Sequence, residues 1–507
     1  MQRRVFAPRT CLLVAAIVAG GGFAAPDGAA GQLSFPEGPE ELTLEEALRL
    51  AREHNPDFRT QERQLETADL EVGEAWGGLM PSANLSNNYG FQASGERRFG
   101  DVRLGEQPEI LSSSYSLGLS LTLNGSSLLR PGQARREARA AEARVSGAAV
   151  GLQAEITDAY LSVLEADAEV DQARAALERT GLNVREARAR VEVGAATPLD
   201  IRRAEVQEGQ AEVLLVQVEN QAISARLALG RLVGVSLDEE VHLITDFELF
   251  DPDLDMDDLV QRAIDGNPVL HASRLSADVA EGGIQSARSQ YLPSVSLSAG
   301  LSASVFQAGT LSPLVEDRLQ QRGGQFESCV EDNRIRELLG DPPRNCQPLN
   351  PADPSVRADV RQQIEAENSG FPFGYDRQPW NLSLTISLPL FTGFSRGRQV
   401  ERARIDHANA NEQVRAEELR LRSEVNQAAR GVETARRTVE LQGRVRETAA
   451  EELRLAQERF RLGLASSIEM ADAQATLSQA ERDEITATYQ FHQSVAALEA
   501  LIGGAVR

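Results

Sequence analysis

The sequence predicts a mainly α-helical protein with a transmembrane β-barrel portion, built on a duplicated plan of helix, strand, strand and helix. Three observations lead to this fold class. First, residues 42–81 are matched without a gap by residues 254–293, and the ends of the two halves also match each other. Second, four segments alternate strictly between apolar and small polar residues. Third, two very long stretches with helical periodicity contain no internal proline.

The N-terminus has the pattern of a secretory signal peptide. Three arginines precede an apolar run at 12–18, and small residues continue to Ala24 or Ala30. We therefore predict a signal peptide over residues 1–30, cleaved near residue 24 or 30, and an exported protein. The apolar run reaches only about half of the roughly 20 residues that a helix needs to span a bilayer.

The duplication defines the domain organisation. The first structural repeat covers residues 31–234 and the second covers residues 256–507, with an acidic linker at 235–255 between them. The second repeat is longer because an insertion, residues 304–379, separates its two alternating segments. The many prolines and glycines of this insertion predict an exposed, irregular loop.

The alternating segments have the length of membrane strands. They cover residues 82–91, 114–124, 294–303 and 380–391, and a tilted transmembrane strand needs about 9 to 11 residues. Tyrosine or tryptophan lies near the ends of three of them, where an interfacial aromatic girdle belongs. A half-buried sheet in a soluble sandwich gives the same alternation and is the alternative.

Four strands cannot close a barrel by themselves. Unpaired strand edges in lipid leave backbone groups without hydrogen bonds, and the smallest bacterial barrels have eight strands. Several chains must therefore contribute. Two chains would supply eight strands and three would supply twelve, and a lumen wide enough to conduct favours the larger ring. We therefore predict a homotrimer with a twelve-stranded barrel whose apolar face contacts lipid.

Two helical stretches, residues 132–191 and 397–462, are far longer than ordinary helices. At about 1.5 Å per residue, each would extend roughly 90–100 Å. Apolar residues recur in steps of three and four along both, which predicts coiled-coil seams, although ordinary helix packing gives the same spacing. Further helical segments of about half this length are predicted at 44–78, 199–232, 256–288 and 468–501.

Composition argues against several functional classes. The formal net charge of −24 leaves no basic surface that could bind nucleic acid. The sequence has no phosphate-binding glycine loop and no HExxH motif, and its five histidines show no ligand spacing. We therefore predict a protein that is not an enzyme and that needs no cofactor and no metal site.

The insertion contains two cysteines, Cys329 and Cys346. An even pair in an exported protein favours a disulfide, which would stabilise the insertion by roughly 3 kcal/mol. A paired-thiol metal site is the alternative, but neither cysteine has a histidine nearby.

Four pairs of motifs occur in the same order in both halves. They are the openings LTLEEALRLAREHNP and LDMDDLVQRAIDGNP, the strand beginnings LMPSANLS and YLPSVSLS, the strand exits LNGSSLLRPG and LPLFTGFSRG, and the turns VGAATPLD and LGLASSIE. In this combination the chain resembles the TolC-like outer-membrane efflux protein family over essentially the whole mature sequence.

The resemblance implies an outer-membrane channel that serves as the exit duct of a tripartite efflux or type I secretion system. Such a channel works with a periplasmic adaptor (membrane fusion) protein and an inner-membrane pump. It is a trimer whose twelve-stranded barrel continues into a long periplasmic α-helical barrel. The connections 92–113 and 304–379 would then be extracellular, and residues 235–255 would belong to a belt around the helices.

The alternative function is a secreted structural coiled-coil scaffold or adhesin, whose alternating segments form a soluble sheet. It predicts extraction without detergent. The position of a strand pair in the middle of each half argues against it, because a stalk with one terminal anchor would collect the strands at one end.

The resemblance also places functional residues at the two helix turns. Glu469 and Asp472 occupy the positions of the family's entrance carboxylates, and Asp200 is their counterpart in the first half. Three copies would form acidic rings that select cations. The family's latch has a basic residue two positions after the turn glycine, where this chain has Ala465. The turn residues expected to contact the adaptor are Gly194, Thr197, Gly463 and Ser466.

Local helix chemistry offers a second interpretation of the same carboxylates. Ser466 and Glu469 have the spacing of a capping box, and Thr197 with Asp200 resembles the same helix start. Asp472 lies one turn further on, has less reason to cap a helix, and is the better candidate for the pore. The two turn glycines are also expected to adopt a positive φ after a helix.

Overall fold

The structure is a computed structural model that describes residues 38–237, 241–245, 247–252 and 254–506. The predicted signal peptide, residues 1–30, and parts of the acidic linker lie outside the described residues. The described chain is mainly helical, as the sequence predicts.

Two compact units can be distinguished. Each contains segments from both halves of the chain, as a duplicated plan requires. The first unit takes its described residues from 1–60, 148–263 and 423–507, and the second takes them from 61–147 and 264–422.

The helices follow one order in both halves: two shorter helices precede the strands, and one long and one medium helix follow them. The long helices α3 and α9 contain 68 and 67 residues. Among the described residues, no helix combines the length and the apolarity that crossing a membrane requires. The helices are α1 (Leu44–His54), α2 (Pro56–Gly77), α3 (Gly125–Glu192), α4 (Pro198–Val233), α5 (Met256–Gly266), α6 (Pro268–Ser289), α7 (Ser312–Leu339), α8 (Pro354–Asn368), α9 (Ser395–Arg461) and α10 (Ser467–Ile502).

The main sheet belongs to the second unit and is antiparallel throughout. Its order is β2, β5, β7 and β9, with the short β8 also paired to β7. A separate hairpin, β3–β4, lies in the connection between β2 and β5. The strands are β1 (Glu41–Leu42), β2 (Ser82–Gln92), β3 (Gly95–Phe99), β4 (Val102–Gln107), β5 (Ile110–Leu123), β6 (His242–Leu243), β7 (Ser294–Ala308), β8 (Asp376–Arg377) and β9 (Asn381–Ser387).

The register of the sheet sorts its side chains onto two chemically different faces. Leu85, Leu117 and Leu301 are direct cross-strand partners, and partners share one face. On the other face, the hydroxyl oxygens of Ser86 and Ser116 lie 2.7 Å apart. The apolar face includes Leu85, Leu117, Leu119, Leu297, Leu301, Leu382 and Leu384, and the serine face includes Ser86, Ser116, Ser120, Ser298, Ser302 and Ser383.

The strand ends differ from the predicted ones. β7 continues to Ala308, because the alternation extends through Val305, which is 5% exposed. β9 ends at Ser387, before Pro389, because proline has no backbone N–H to donate to the ladder.

The prediction of an irregular loop at 304–379 is wrong. Most of this insertion folds into α7 and α8, which pack together through a small apolar core. Cys329 and Cys346 form a disulfide within it. The core residues are Val315 and Leu319 of α7 and Val360 and Ile364 of α8.

In the first unit, helices pair into two antiparallel hairpins, α3 with α4 and α9 with α10. Alanines line both seams, with valines in the first and leucines in the second, so the backbones can approach closely. The seam of the first hairpin contains Ala166, Val170, Ala173, Val218 and Ala222, and that of the second contains Ala449, Leu453, Ala473, Leu477 and Ala480.

A buried tyrosine ties the first short strand to the long helix of this unit. β1 pairs in parallel with β6, and the fully buried Tyr160 of α3 donates its hydroxyl hydrogen to the Leu42 carbonyl oxygen at 2.8 Å. The Tyr160 hydroxyl also lies 3.1 Å from the hydroxyl oxygen of Thr245. These bonds satisfy the only polar group of an otherwise apolar side chain.

Candidate functional site

Two equivalent turns follow the long helices α3 and α9 and lead into α4 and α10. Gly194 and Gly463 adopt φ values of 75° and 74°, as predicted for glycines that end a helix. After each glycine, the next amide reaches back into the helix; the Ala195 N–H donates to the Arg190 carbonyl at 2.7 Å. We call these two turns, together with the first turns of α4 and α10, the tip.

The two helices that begin at the tip use their acidic residues differently. Thr197 and Ser466 are the N-cap residues of α4 and α10. The Asp200 carboxylate accepts from the Thr197 amide at 2.9 Å and from its hydroxyl at 2.8 Å, so it closes its own helix start. The Glu469 carboxylate lies instead 3.6 Å from a guanidinium nitrogen of Arg459 in α9.

Asp200 also links the two hairpins. Its second carboxylate oxygen accepts a hydrogen bond from the Ser467 hydroxyl of α10 at 2.8 Å. The hydrogen bond from the Thr197 amide is the main reason that the pKa of Asp200 lies below its ordinary value, and the hydroxyls of Ser467 and Thr197 lower it further. Asp200 is therefore held as a carboxylate that fastens the tip.

A second link between the hairpins involves an arginine. The Arg190 guanidinium donates to the Phe460 carbonyl at 3.2 Å and lies 4.1 Å from the centre of the Phe460 ring. Arginine can satisfy a hydrogen bond and stack on an aromatic face at the same time. The end of α3 is thus attached to the end of α9.

Further polar contacts connect α3 to α10 above the tip. The Asn183 side-chain amide donates to the Gln474 side chain. The Arg179 guanidinium lies 2.6 Å from a carboxylate oxygen of Glu481, which also accepts from the Gln172 amide at 2.9 Å. Arg179 and Glu481 are 32% and 22% exposed, so water screens this pair only partly.

Asp472 differs from the other two acidic residues because its side chain remains available. It is exposed, and within the described part of the chain its carboxylate forms no ion pair and no hydrogen bond. It lines a cleft of about 480 Å³ between the two hairpins. The same residue also borders a shallow acidic groove along α9 and α10, whose other acidic residues are Glu447, Glu451, Glu452 and Glu469.

The four turn residues predicted to meet an adaptor, Gly194, Thr197, Gly463 and Ser466, are all exposed. A Cβ added to either glycine would meet no atom within 4 Å. The positive φ therefore explains these glycines, and the surface around them is open.

The described residues contain no group of three or more histidine, cysteine, aspartate or glutamate side chains arranged to hold a metal ion. The disulfide removes the two cysteines of the insertion from consideration as thiol ligands.

Sequence reasoning missed Arg190, Arg459 and Ser467 as members of the tip. Arg190 and Arg459 each lie four residues before a turn glycine, so the duplication itself contained a signal. Ser467 has no such signal, because its partner Asp200 lies in the other half of the chain and only the fold brings them together.

Comparison with known proteins gives a consistent result. The family model described as "Outer membrane efflux protein" matches residues 47–235 and 353–504, which together make up more than half of the chain. The matched segments include both hairpins and their turns.

Two characterised relatives align with about half of the chain. The chain is 26% identical to the outer membrane protein TolC of Vibrio cholerae over 258 residues, which are 51% of this chain and 57% of TolC. The match therefore spans little more than half the length of that relative. The chain is 25% identical to the cobalt-zinc-cadmium resistance protein CzcC of Cupriavidus metallidurans over 303 residues, which are 59% of this chain and 68% of CzcC.

Solved structures share the fold over nearly the full length. The CmeC outer membrane channel of Campylobacter jejuni superposes with a TM-score of 0.66 at 15% identity, covering 91% of this chain and 85% of CmeC. A membrane protein from Pseudomonas aeruginosa superposes with a TM-score of 0.64 at 21% identity, covering 91% of this chain and 93% of the other. At these identities the likeness is one of fold.

Proposed function

The chain belongs to the outer membrane efflux protein family, and from this membership we propose that it is the outer-membrane channel of a tripartite efflux or type I secretion system. In this role it conducts substrates passively from the periplasm, or from an inner-membrane pump, to the exterior. It catalyses no reaction. A periplasmic adaptor would connect the tip to the pump.

The observation that carries this proposal is the sheet with one apolar face, one serine face and two open edges. Within the described residues, β2 and β9 each pair on one side only. In lipid such edges must pair with another chain, because unpaired backbone groups cost several kcal/mol each. The apolar face would contact outer-membrane lipid and the serine face would line an aqueous lumen.

Strand arithmetic supports a homotrimer. The main sheet provides four strands along its width, β2, β5, β7 and β9, with β8 preceding β9 on the same side of β7. Three chains would then close a twelve-stranded barrel, which leaves a wider lumen than the eight strands of a dimer.

The tip would form the periplasmic entrance of the duct. We assign the entrance role to Asp472 first, because its carboxylate is exposed and unpaired among the described residues. Glu469 would share the ring but is partly neutralised by Arg459. The Asp200 carboxylate accepts hydrogen bonds from Thr197 and Ser467. It therefore stabilises the tip rather than selecting ions. Three copies of Asp472 would attract cations by their combined field.

The exposed turns at Gly194, Thr197, Gly463 and Ser466 would contact the adaptor. The family's basic latch residue is replaced by Ala465. Arg459 lies close by, where it contacts Glu469 and donates to the Leu464 carbonyl at 3.4 Å. It is therefore the basic residue available to hold the second turn in this chain.

The competing function, a secreted coiled-coil scaffold or adhesin, receives no support from the comparisons, because the matched family is one of outer-membrane efflux proteins.

Conductance tests the proposal directly. Mature protein purified in detergent should insert into planar lipid bilayers and produce discrete, cation-selective conductance steps. Tip variants then provide the internal control, since a change at Asp472 should alter selectivity without abolishing insertion. Protein that incorporates into the bilayer but produces no ion current would contradict the proposed channel.

A further inference from the structure

The insertion returns to the sheet through a turn, residues 371–375, that lies against the apolar face. The Tyr375 hydroxyl oxygen is 2.8 Å from that of Ser113, which is completely buried. The Tyr375 ring meets the Tyr115 ring edge-on, with 4.9 Å between the centroids. Ser113 and Tyr115 are two residues apart on β5 and therefore share a face with the leucines that follow them.

Three tyrosines thus mark one level of the sheet. Tyr89 is the direct partner of Ser113 on β2, and Tyr375 is bonded to that same serine. Together with Tyr115 they lie near one end of the apolar face, where only the pair Phe91 and Leu111 follows on the same side. Tyrosine concentrates at the boundary between hydrocarbon and headgroups, because its ring is apolar and its hydroxyl is polar.

The 371–375 turn is held firmly against this boundary. The Asn368 side chain makes two bonds to the Ala308 backbone, accepting from its N–H at 2.6 Å and donating to its carbonyl at 3.0 Å. A Cβ added at Gly370 would be 3.7 Å from a Val305 methyl group. The insertion therefore has a fixed position on the apolar face rather than hanging from a flexible stalk.

Phe373, at the centre of this turn, is 69% exposed. The turn that carries this ring contacts the sheet through Tyr375, on the face that also presents the exposed leucines. The exposed leucines of the apolar face continue from the tyrosine level along the strands, so one continuous surface includes both. This continuity favours the occupant proposed for the leucines, which is membrane lipid.

We propose that residues 371–375 form a lipid-docking turn, in which Phe373 inserts into the interfacial layer of the outer leaflet beside the tyrosines. The inference rests on the proposed barrel, because it takes the apolar face as the lipid side. The insertion thereby becomes part of the membrane anchor, and its helices α7 and α8 are fixed relative to the bilayer surface.

Tryptophan fluorescence in liposomes tests this proposal. The native tryptophans are first removed as Trp76→Phe and Trp380→Phe, and Phe373→Trp is then introduced as the probe. The Phe373 ring is largely exposed, so the larger side chain displaces no buried neighbour. Quenching is measured with lipids brominated near the headgroup, with lipids brominated deep in the acyl chain, and, separately, with water-soluble acrylamide.

Two matched probes, each in the same tryptophan-free background, calibrate the readout. Phe306→Trp lies on the same sheet but on the serine face, opposite Ser112, and the native ring has a similar exposure of 55%. Leu384→Trp lies in the middle of the apolar face on β9. We expect brominated lipid to quench the probe at position 373 about threefold more than the probe at position 306, and acrylamide to show the reverse order, as interfacial and aqueous positions require.

The outcomes distinguish the lipid-docking turn from the proposed barrel. If acrylamide quenches position 373 as strongly as position 306 and brominated lipid leaves it unaffected, the turn faces water and the inference is wrong. Protection from both quenchers would mean that protein covers the ring, which also overturns it. If brominated lipid quenches the probe at position 384 but not the one at position 373, the barrel stands and only the docking turn fails. If the probe at position 384 is also unquenched, the proposed barrel itself fails.

Discussion

Replacing Asp200 by alanine should loosen the tip by a predictable amount. The substitution removes two hydrogen bonds from Thr197, at 2.9 and 2.8 Å, and one from Ser467 at 2.8 Å. Loss of a helix-capping interaction costs about 1 kcal/mol, and a single hydrogen bond between the hairpins adds about 0.5–1.5 kcal/mol. The free energy of local opening should therefore fall by about 1.5–2.5 kcal/mol. This change raises the opening equilibrium constant about 10- to 60-fold.

Hydrogen exchange followed by mass spectrometry measures this opening, through peptides that cover the first turns of α4. The matched control is Glu469→Ala, at the equivalent position of the other half. Its carboxylate makes an exposed ion pair at 3.6 Å, so removing it should cost less than about 1 kcal/mol. Equal exchange rates in wild type and Asp200→Ala, or an equally large effect of Glu469→Ala, would refute the fastening role.

The effect of Asp200→Ala should also depend on pH. Hydrogen bonds, above all the one from the Thr197 amide, hold the pKa of Asp200 below its ordinary value. A carboxylate with a lowered pKa stabilises the folded state above its unfolded pKa of about 3.9, and this stabilisation is lost as the pH falls through the folded pKa. Wild type and variant should therefore differ most at neutral pH and converge in acid; a difference that persists unchanged in acid would contradict this reasoning.

Three further variants test other parts of the molecule. Asp472→Asn should lower cation selectivity in single-channel recordings by about twofold, because it removes three charges from the proposed entrance; unchanged selectivity would exclude it from the pore. Tyr160→Phe should lower the free energy of unfolding in urea by about 1–3 kcal/mol, because the buried Leu42 carbonyl loses a donor. An unchanged midpoint of urea unfolding would contradict a stabilising role for this hydrogen bond. The double variant Cys329→Ser and Cys346→Ser should destabilise the insertion by about 3 kcal/mol. Proteolysis within the insertion should become faster while the conductance stays unchanged. Equal proteolysis rates would contradict a stabilising role for the disulfide.

Much of the sheet could be predicted from the sequence, because side-chain alternation encodes it directly. Leu117 and Leu119 alternate with Ser116 and Ser120, and the register then places like residues opposite like. The turn glycines were equally predictable, since few other residues tolerate a positive φ. Both features depend only on neighbours along the chain.

The helices of the insertion do not follow from its composition, because prolines and glycines occur both in loops and at helix ends. Pro313 and Pro354 lie in the first turns of α7 and α8, where the missing N–H costs nothing. Gly340 ends α7 with a φ of 75°. The same residues that break a helix internally therefore mark its boundaries, and composition alone does not distinguish the two.

The roles of the tip carboxylates depend on side-chain reach and on tertiary contacts. Asp200 has a short side chain and stays at its own N-cap, whereas the longer Glu469 reaches Arg459 on the preceding helix. The bond from Ser467 to Asp200 joins residues from different halves of the chain. No local pattern contains that information, so the sequence left capping and pore roles open.

We propose that three copies of this chain build one membrane duct. Its most direct test is native mass spectrometry of the mature protein, extracted from outer membranes and kept in detergent micelles. We expect a membrane-associated particle of three chains. A protein that extracts without detergent and has the mass of one or two chains would contradict the barrel and, with it, the proposed channel.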